Sequence, residues 1–426
     1  MLPNLDLSWV VVLFTLHGLS STVLASPNNV LEDRAVYTCT VEANNDGSDD
    51  SPAILAAFKE CRKNRRIVFS NTTYNIEKMM TTTDLENTQI EIHGTLVWSK
   101  DTDYWLSNPQ PTGFQNGSAA WFLGGKNITV DGFGYGTLDG NGQAWSVSRY
   151  NLVKGQSNYP DRPHALAIWK ASGMTMRNVR MVQSQMWTIA IMHSQNVLFD
   201  GVYINSTTNN GYPARNTDGA DTIDSDRITF RNMYIRNGDD AIAIKGNSTN
   251  ILIEDSTMDH SLGIAFGSLG QYKNEFERVE NVTVRRIKGL GTRYGAYVKT
   301  WTGDQVSYPP NGGGGGVGSL IASLALYDFD LTATREAPFL IGQCTSFSGQ
   351  QGDCESSTFK ISDMTIRNWV GDGASTYVAD MNCSQGSGGC EDITIEDVDL
   401  KNTTTGADVT KYRCRDVVSV HGFECS

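Results

Sequence analysis

Asp218, Asp239 and Asp240 are the residues of this chain best placed to do chemistry. They stand in two short polar segments, Asn216-Thr-Asp218-Gly219 and Asn237-Gly-Asp239-Asp240, with 21 residues from Asp218 to Asp239. If that interval is one turn of a repeating fold, equivalent positions stack about 4.8 Å apart and the three carboxylates become neighbours. Like charges that close raise the pKa of one group, which leaves an acid beside bases. A pair of carboxyl groups in two protonation states is what hydrolysis of a glycosidic bond requires. Strict strand alternation would send Asp239 and Asp240 to opposite faces, so Gly238 must mark a bend. Two other readings fit the same residues: Asp and Asn ladders at the turns of a solenoid, and a calcium site.

Other familiar chemistry is missing. The chain has no Walker P-loop, no G-x-S-x-G and no H-E-x-x-H. The run Gly312–Gly316 lacks a following Lys-Ser/Thr and reads as a flexible loop. The six histidines are spread along the chain, so no metal centre and no cofactor is expected.

The elements that must position the carboxylates show in a repeat. The pattern Asn/Asp-apolar-Thr/Leu-apolar-x-Asn/Asp/Gly begins at Asn127, Asn196, Asn250, Asp363 and Asp392, with looser copies at Gly173, Arg227 and Asn281. The second apolar positions are Val130, Met176, Phe199, Phe230, Ile253, Val284, Ile366 and Ile395. Their separations of 46, 23, 31, 23, 31, 82 and 29 residues read as one, two or about three multiples of a 23–31 residue period. Such a period marks stacked coils, and alternation within each copy marks a strand buried on one face. No long amphipathic helices alternate with these strands, which argues against a βαβ fold. The chain reads as an all-β parallel β-helix in one domain, residues 26–426.

A solenoid end needs a cap. The segment Ser51–Cys61 supplies a short N-terminal helix, with Asp50 or Ser51 as N-cap, Pro52 in the first turn, and Ile54, Phe58 and Cys61 on one face. The cysteine-rich stretch from Cys344 is expected to finish the other end.

The eight cysteines, Cys39, Cys61, Cys344, Cys354, Cys383, Cys390, Cys414 and Cys425, cluster towards the two ends. Pairing of neighbours (39–61, 344–354, 383–390, 414–425) is the expectation. The apolar run Trp9–Leu19, with Val23 and Ala25 before a cleavage point, predicts a signal peptide over residues 1–25 and a secreted product. Sequons at Asn71, Asn116, Asn127, Asn205, Asn247, Asn281, Asn382 and Asn402 suit a secreted glycoprotein. Lys+Arg 34 against Asp+Glu 47 gives a net charge of −13, which argues against nucleic acid or an anionic membrane as partner. A monomer is expected.

The ordered motifs N-T-D-G, N-G-D-D, G-I-A-F-G-S-L-G and a Lys-Thr strand resemble the polygalacturonase family, glycoside hydrolase family 28. The likeness runs from about Asp49 to the C-terminus and is strongest over Tyr203–Trp301. It implies a right-handed, pectin-lyase-like parallel β-helix and inverting hydrolysis of a pectic chain. On that resemblance Asp239 is the general acid, Asp218 and Asp240 activate the water, and Asn216 helps position them. An inverting pair is expected to stand roughly 6.5–9.5 Å apart.

The departures matter as much. The family's Gly-His-Gly is here Ser261-Leu262-Gly263, with His260 two residues before the family position as a possible substitute. The family's Arg-Ile-Lys is Tyr297-Val298-Lys299. Arginine grips a carboxylate with two parallel bonds and tyrosine cannot, so Tyr297 suits a less charged sugar such as rhamnose, unless Lys299 alone holds the carboxylate. Ser268–Tyr272, Lys245 and the stretch from Lys299 resemble the exo-acting branch, in which Lys245 would grip a terminal carboxylate. Long insertions around Trp98–Phe122 and Trp301–Gly318 would close one end of the groove. The leading expectation is release of galacturonic acid from the non-reducing end. Release of rhamnose is the alternative, and a carbohydrate-binding protein without activity is more remote. A calcium-dependent lyase lacks a visible arginine base.

Overall fold

The computed structural model describes residues 37–146, 162–303, 313–345 and 352–426. The expected signal peptide lies outside them. Among the described residues, 28 strands form one continuous, wholly parallel system in which each strand away from the two ends pairs with its counterpart one coil earlier and one coil later. This is the expected parallel β-helix. A further pair, Ser118–Ala119 with Pro163–His164, stands apart from the coil.

The repeat has a conformational cause. The first residue of every copy, from Asn127 to Asp392, has a positive φ, between 51° and 72°. Five residues on, a second corner is also left-handed at Asn178, Gly201, Asn232, Asp255, Arg286, Asn368 and Asp397. Glycine reaches that region freely and Asn and Asp at small cost, so the pattern spells a strand between two left-handed corners. Rungs of side-chain amides tie the first corner across coils: Asn127 to Asn87 at 2.7 Å and Asn87 to Asn64 at 2.8 Å.

The apolar positions stack in register along the core, Val130 on Met176, then Phe199, Phe230, Ile253 and Val284. Phe199 and Phe230 lie face to face at 5.2 Å. Two intervals differ from the sequence reading. Val130 pairs directly with Met176, so 46 residues make one enlarged coil and not two. The 82-residue interval holds two coils, with Leu326 between Val284 and Ile366.

The helix Ser51–Glu60 closes the N-terminal end with Ile54, Ala57 and Phe58 buried. Asp50 stands at the N-cap, but its carboxylate accepts the N–H groups of Asn44 and Asn75, both at 2.7 Å, and none from the helix. The stretch from Cys344 is no separate cap. Strands Lys360–Gly373, Tyr377–Asn382, Cys390–Asn402 and Lys411–Arg415 continue the coil through it.

Disulfides join Cys39 to Cys61, Cys344 to Cys354, Cys383 to Cys390 and Cys414 to Cys425. Such bridges suit an oxidising, extracellular setting. The first ties the capping helix to the first strand across a separation of 22 residues. Replacing Cys39 and Cys61 by alanine should lower unfolding stability by about 3 kcal/mol through the entropy of the opened loop. Thermal unfolding of the double variant measures this, and an unchanged midpoint would contradict it. No described helix is long and apolar enough to cross a membrane.

The sequons differ in their surroundings. Asn71, Asn127 and Asn281 are exposed, the first at a bend and the other two at left-handed corners within strands. Asn402 is buried, and its amide nitrogen donates to the carbonyls of Ala374 and Ser375 at 3.0 and 3.1 Å. A glycan there would displace both bonds, so the structure argues against the sequon at Asn402.

Candidate active site

One face of the coil forms the floor of the site. In the strands Leu166–Trp169, Ile189–Met192, Ala220–Ile223, Ile242–Ile244, Ile264–Leu269 and Ala296–Trp301, one row of residues faces away from the core. It reads Ala167, Ala190, Asp221, Ala243, Ala265, Tyr297 in register. Four alanines leave a trough. Asp221 and Tyr297 are the polar members.

The carboxylates sit where two of these strands begin. Strand register across this step is 22 residues, Ala220 opposite Ile242, so Asp218 stacks on Asp240 and Asp239 stands beside the pair. The chain bends at Gly238 and Asp239, as the alternation argument required. A Cβ on Gly238 would lie 2.2 Å from the carbonyl oxygen of Ala214, so only glycine fits this approach. Asn237 locks the corner: its amide donates to the carbonyls of Thr217 at 2.8 Å and Asp240 at 2.7 Å.

One oxygen from each of Asp218, Asp239 and Asp240 lies within 4.8 Å of the others. This is a span between single oxygens, not the separation of whole carboxyl groups by which an inverting pair is gauged. It is a span one water bridges, since two hydrogen bonds of about 2.7 Å reach across it. Asp239 is partly exposed, whereas Asp218 and Asp240 are buried. Asp239 therefore meets the cleft and the other two form its floor.

Electrostatics separates the three. Burial, and then the charges of Asp239, Asp221 and Asp240, push the Asp218 carboxyl well above its ordinary range. Burial and Asp240 also raise Asp239, opposed by Lys299 and by the N–H groups of Asn216 and Asp240, each at 3.0 Å. Asp240 has both oxygens engaged, one by the Tyr297 hydroxyl and the other by Lys299 Nζ at 2.7 Å. The trio is spaced as cation ligands could be, but the Lys299 ammonium bonded to Asp240 already supplies a positive charge there. Burial opposes the charge on Lys299, but the three aspartates outweigh it and raise its pKa.

The other expected residues are placed as follows. Asn216 acts through its backbone N–H, with φ at 54°. Lys245 is no surface lysine. It is buried, 3.1 Å from Asp221 and 4.8 Å above the Trp187 ring. His260 does not join the cluster. It sits at a left-handed corner with φ at 56°, its ring bonded to Asp259 and packed towards Gly291. The corner turns the ring away from the floor, so His260 is withdrawn as a substitute for the family histidine. Leu262 instead donates its N–H to the Asp239 carbonyl at 2.8 Å and packs in an apolar cluster with Ala243, Ala265, Tyr294, Tyr297 and Leu340.

Three residues escaped the sequence reading. Asp221, fully buried, is pushed up to about 7 by burial, with Lys245 opposing; its signal was a carboxylate on the outward row of an otherwise uncharged strand. His164 stacks on Trp187 at 4.3 Å and is lowered to about 3 by burial and by the charges of Lys245 and Arg162. Arg162 is buried, donates to the carbonyls of Gln185 and Arg215, and has one terminal nitrogen, Nη1, without a partner. Burial lowers its pKa to about 10 against the pull of Asp218 and Asp239. No local motif announced either residue.

The described parts of both insertions pack on the loop that follows the strand Ile264–Leu269. Gln115 donates its N–H to the Tyr272 hydroxyl at 3.2 Å and its amide to Gln271 at 2.6 Å. The glycine run, read as a flexible loop, is closely packed where described. A Cβ on Gly313 would meet the Lys273 side chain at 2.6 Å, and Gly316 bonds the Glu275 carbonyl at 2.5 Å.

Clustered carboxylates in unlike environments, carried on a parallel β-helix, define a glycoside hydrolase. The chain belongs to the glycosyl hydrolases family 28, whose model matches residues 63–422. It is 45% identical over 385 residues to alpha-L-rhamnosidase rgxB of Aspergillus niger, covering 89% of this chain and 87% of the relative. It is 36% identical over 365 residues to exopolygalacturonase X of the same species, covering 84% and 81%. Among solved structures, endo-xylogalacturonan hydrolase from Aspergillus tubingensis superposes with a TM-score of 0.75 at 25% identity, covering 91% of this chain and 98% of that one.

Proposed function

We propose that this protein is a secreted, exo-acting glycosidase that releases α-L-rhamnose from the non-reducing end of rhamnogalacturonan chains, with inversion. One observation carries the choice of sugar. Beside Asp239 and Asp240, where the family pattern has a histidine and an arginine, Leu262 and Tyr297 build an apolar wall with Tyr294, Ala243, Ala265 and Leu340. Rhamnose carries a methyl group where galacturonate carries a carboxylate. An apolar wall favours the methyl and leaves a carboxylate without a partner. The lysines do not offset this, because Lys245 is matched by Asp221 and Lys299 by Asp240. The higher identity to a rhamnosidase than to an exopolygalacturonase supports the same choice. Galacturonate, the leading expectation from the motifs, therefore gives way to the alternative. The packing of both insertions, where described, on the loop after the strand Ile264–Leu269 supports exo action.

In this reading Asp239, open to the cleft, protonates the leaving oxygen. Asp218 and Asp240 hold and deprotonate the attacking water. Lys299 and the Tyr297 hydroxyl fix Asp240 in place.

Incubation with oligogalacturonides and, separately, with rhamnogalacturonan oligomers ending in rhamnose tests the proposal. Free rhamnose from the second and nothing from the first is the expected outcome; galacturonic acid alone would overturn it. Proton NMR of the first-formed sugar tests the stereochemistry. The β-anomer is expected, and initial α-anomer would show that the close carboxylate spacing serves retention.

A further inference from the structure

The floor of the cleft does not end at the carboxylates. At the opposite ends of the same strands, where Ala220–Ile223 runs into Asp224 and Ile242–Ile244 into Gly246, lies a second cavity of about 360 Å³. Its walls come from three segments: Phe114 on one insertion, Tyr272, Glu275, Phe276 and Glu277 on the loop after the strand Ile264–Leu269, and Asp224 on the floor. The glycine run braces the loop from behind through the Gly316 bond to Glu275. Phe114 stands 6.3 Å from Trp187, whose ring lies under Lys245, so the cavity wall touches the side chains that flank the reactive cluster. At about 3.3 Å per residue, the six residues from Asp240 to Gly246 put it up to about 20 Å from the bond that is cut.

The lining states a chemistry. Phe114, Tyr272 and Phe276 offer aromatic faces, and Phe276 is 49% exposed. Asp224, Glu275 and Glu277 offer carboxylate acceptors. Glu277 is nine-tenths buried; one of its oxygens accepts the Gly270 N–H, and the other points at Gly246, where a Cβ would lie 2.5 Å away. Among the described residues that line the cavity there is no Lys, Arg or His. Aromatic faces over C–H groups and carboxylates under hydroxyl pairs hold a neutral sugar, whereas a uronic acid would bring a fourth negative charge.

We propose that this cavity is a remote subsite that takes a neutral sugar unit of the substrate chain, beyond the bond that is cleaved. The assignment rests on the rhamnosidase reading for the identity of the chain. It also implies that the sequons at Asn116 and Asn247, both on the cavity rim, carry no glycan, since either glycan would fill it.

Phe114→Ala and Glu275→Gln test it on two substrates, 4-nitrophenyl α-L-rhamnoside and a rhamnogalacturonan oligomer long enough to span the floor. Both variants should lose about tenfold in kcat/KM on the oligomer, mainly through KM, and stay within about twofold of wild type on the aryl glycoside. Equal losses on both substrates, or no loss on either, would overturn the subsite. Failure of the wild type to release rhamnose from either substrate would sink the functional reading instead. Calorimetric titration with carboxyl-reduced, and therefore neutral, rhamnogalacturonan oligomers then tests the cavity by itself. Binding that weakens in Phe114→Ala supports it, and preference for the native acidic oligomers overturns it. Glycopeptide mapping that finds Asn247 occupied would also overturn it.

Discussion

Asp239→Asn should lower hydrolysis of rhamnogalacturonan oligomers by about 10³-fold or more, while hydrolysis of 4-nitrophenyl α-L-rhamnoside falls far less. A general acid contributes about 10²–10⁴-fold by protonating a poor leaving group. Nitrophenolate leaves without that proton, so a variant lacking only the acid keeps much of its turnover. Asp218→Asn should lose both activities, because the water must be deprotonated whatever the leaving group. The pair of variants also decides a question posed by the resting electrostatics. Asp218 has the more strongly raised carboxyl, and Asp239 is the one bonded by two backbone N–H groups. Proton affinity alone would make Asp218 the acid; exposure to the cleft makes it Asp239. Rescue by the good leaving group in Asp218→Asn, and not in Asp239→Asn, would reverse the roles.

Folding gives a second readout for the same variants. A carboxyl whose folded pKa is raised above its unfolded value stabilises the fold most at pH below the unfolded value. That contribution is lost as pH rises through the folded pKa. Asp218 and Asp239 are both raised. Each Asp→Asn replacement should therefore leave the thermal midpoint little changed near pH 4 and raise it at pH 7. A lower midpoint at pH 7 would mean that the carboxylates stabilise the fold rather than strain it.

What the sequence made legible follows from how each feature is encoded. The coil corners are local: a left-handed φ selects Asn, Asp or Gly, so the copies could be aligned by eye. The coil through Leu326 escaped because Ser323 occupies its left-handed corner, with φ at 55°. The reactive aspartates were visible because each lies in a polar segment at the mouth of an apolar strand. Burial was not legible. Lys245 follows Ile244 like any solvated residue, and only stacking of the coils brings Asp221 against it and Trp187 beneath it. His260 was misread for the related reason that the corner at Asp259–His260 turns its ring out of the row that alternation predicted. Arg162 makes its contacts with residues 23 and 53 positions away, and no local pattern records such distances.

Arg162→Met is the second variant with a large expected effect. The guanidinium fastens two consecutive coils by donating to the carbonyls of Gln185 and Arg215. Arg215 immediately precedes Asn216, whose N–H holds Asp239. Methionine takes the guanidinium donor from both carbonyls, the one at Gln185 buried, and removes a positive charge that interacts with both Asp218 and Asp239. A stability loss of about 3 kcal/mol is expected from the orphaned carbonyls. The charge adds a signature that mere loosening would not. Without Arg162 the Asp218 carboxyl rises further, so the acidic limb of the kcat/KM profile, which requires Asp218 ionised, should move to higher pH. The stability deficit should also be larger at pH 7 than at pH 4, because only the ionised carboxylates lose a partner. Arg162→Lys keeps the charge without the fork, so it should restore the position of the limb while recovering only part of the stability. If Arg162→Met lowers stability equally at both pH values and leaves the limb in place, Arg162 is a strap between coils and does not set the charge of the base.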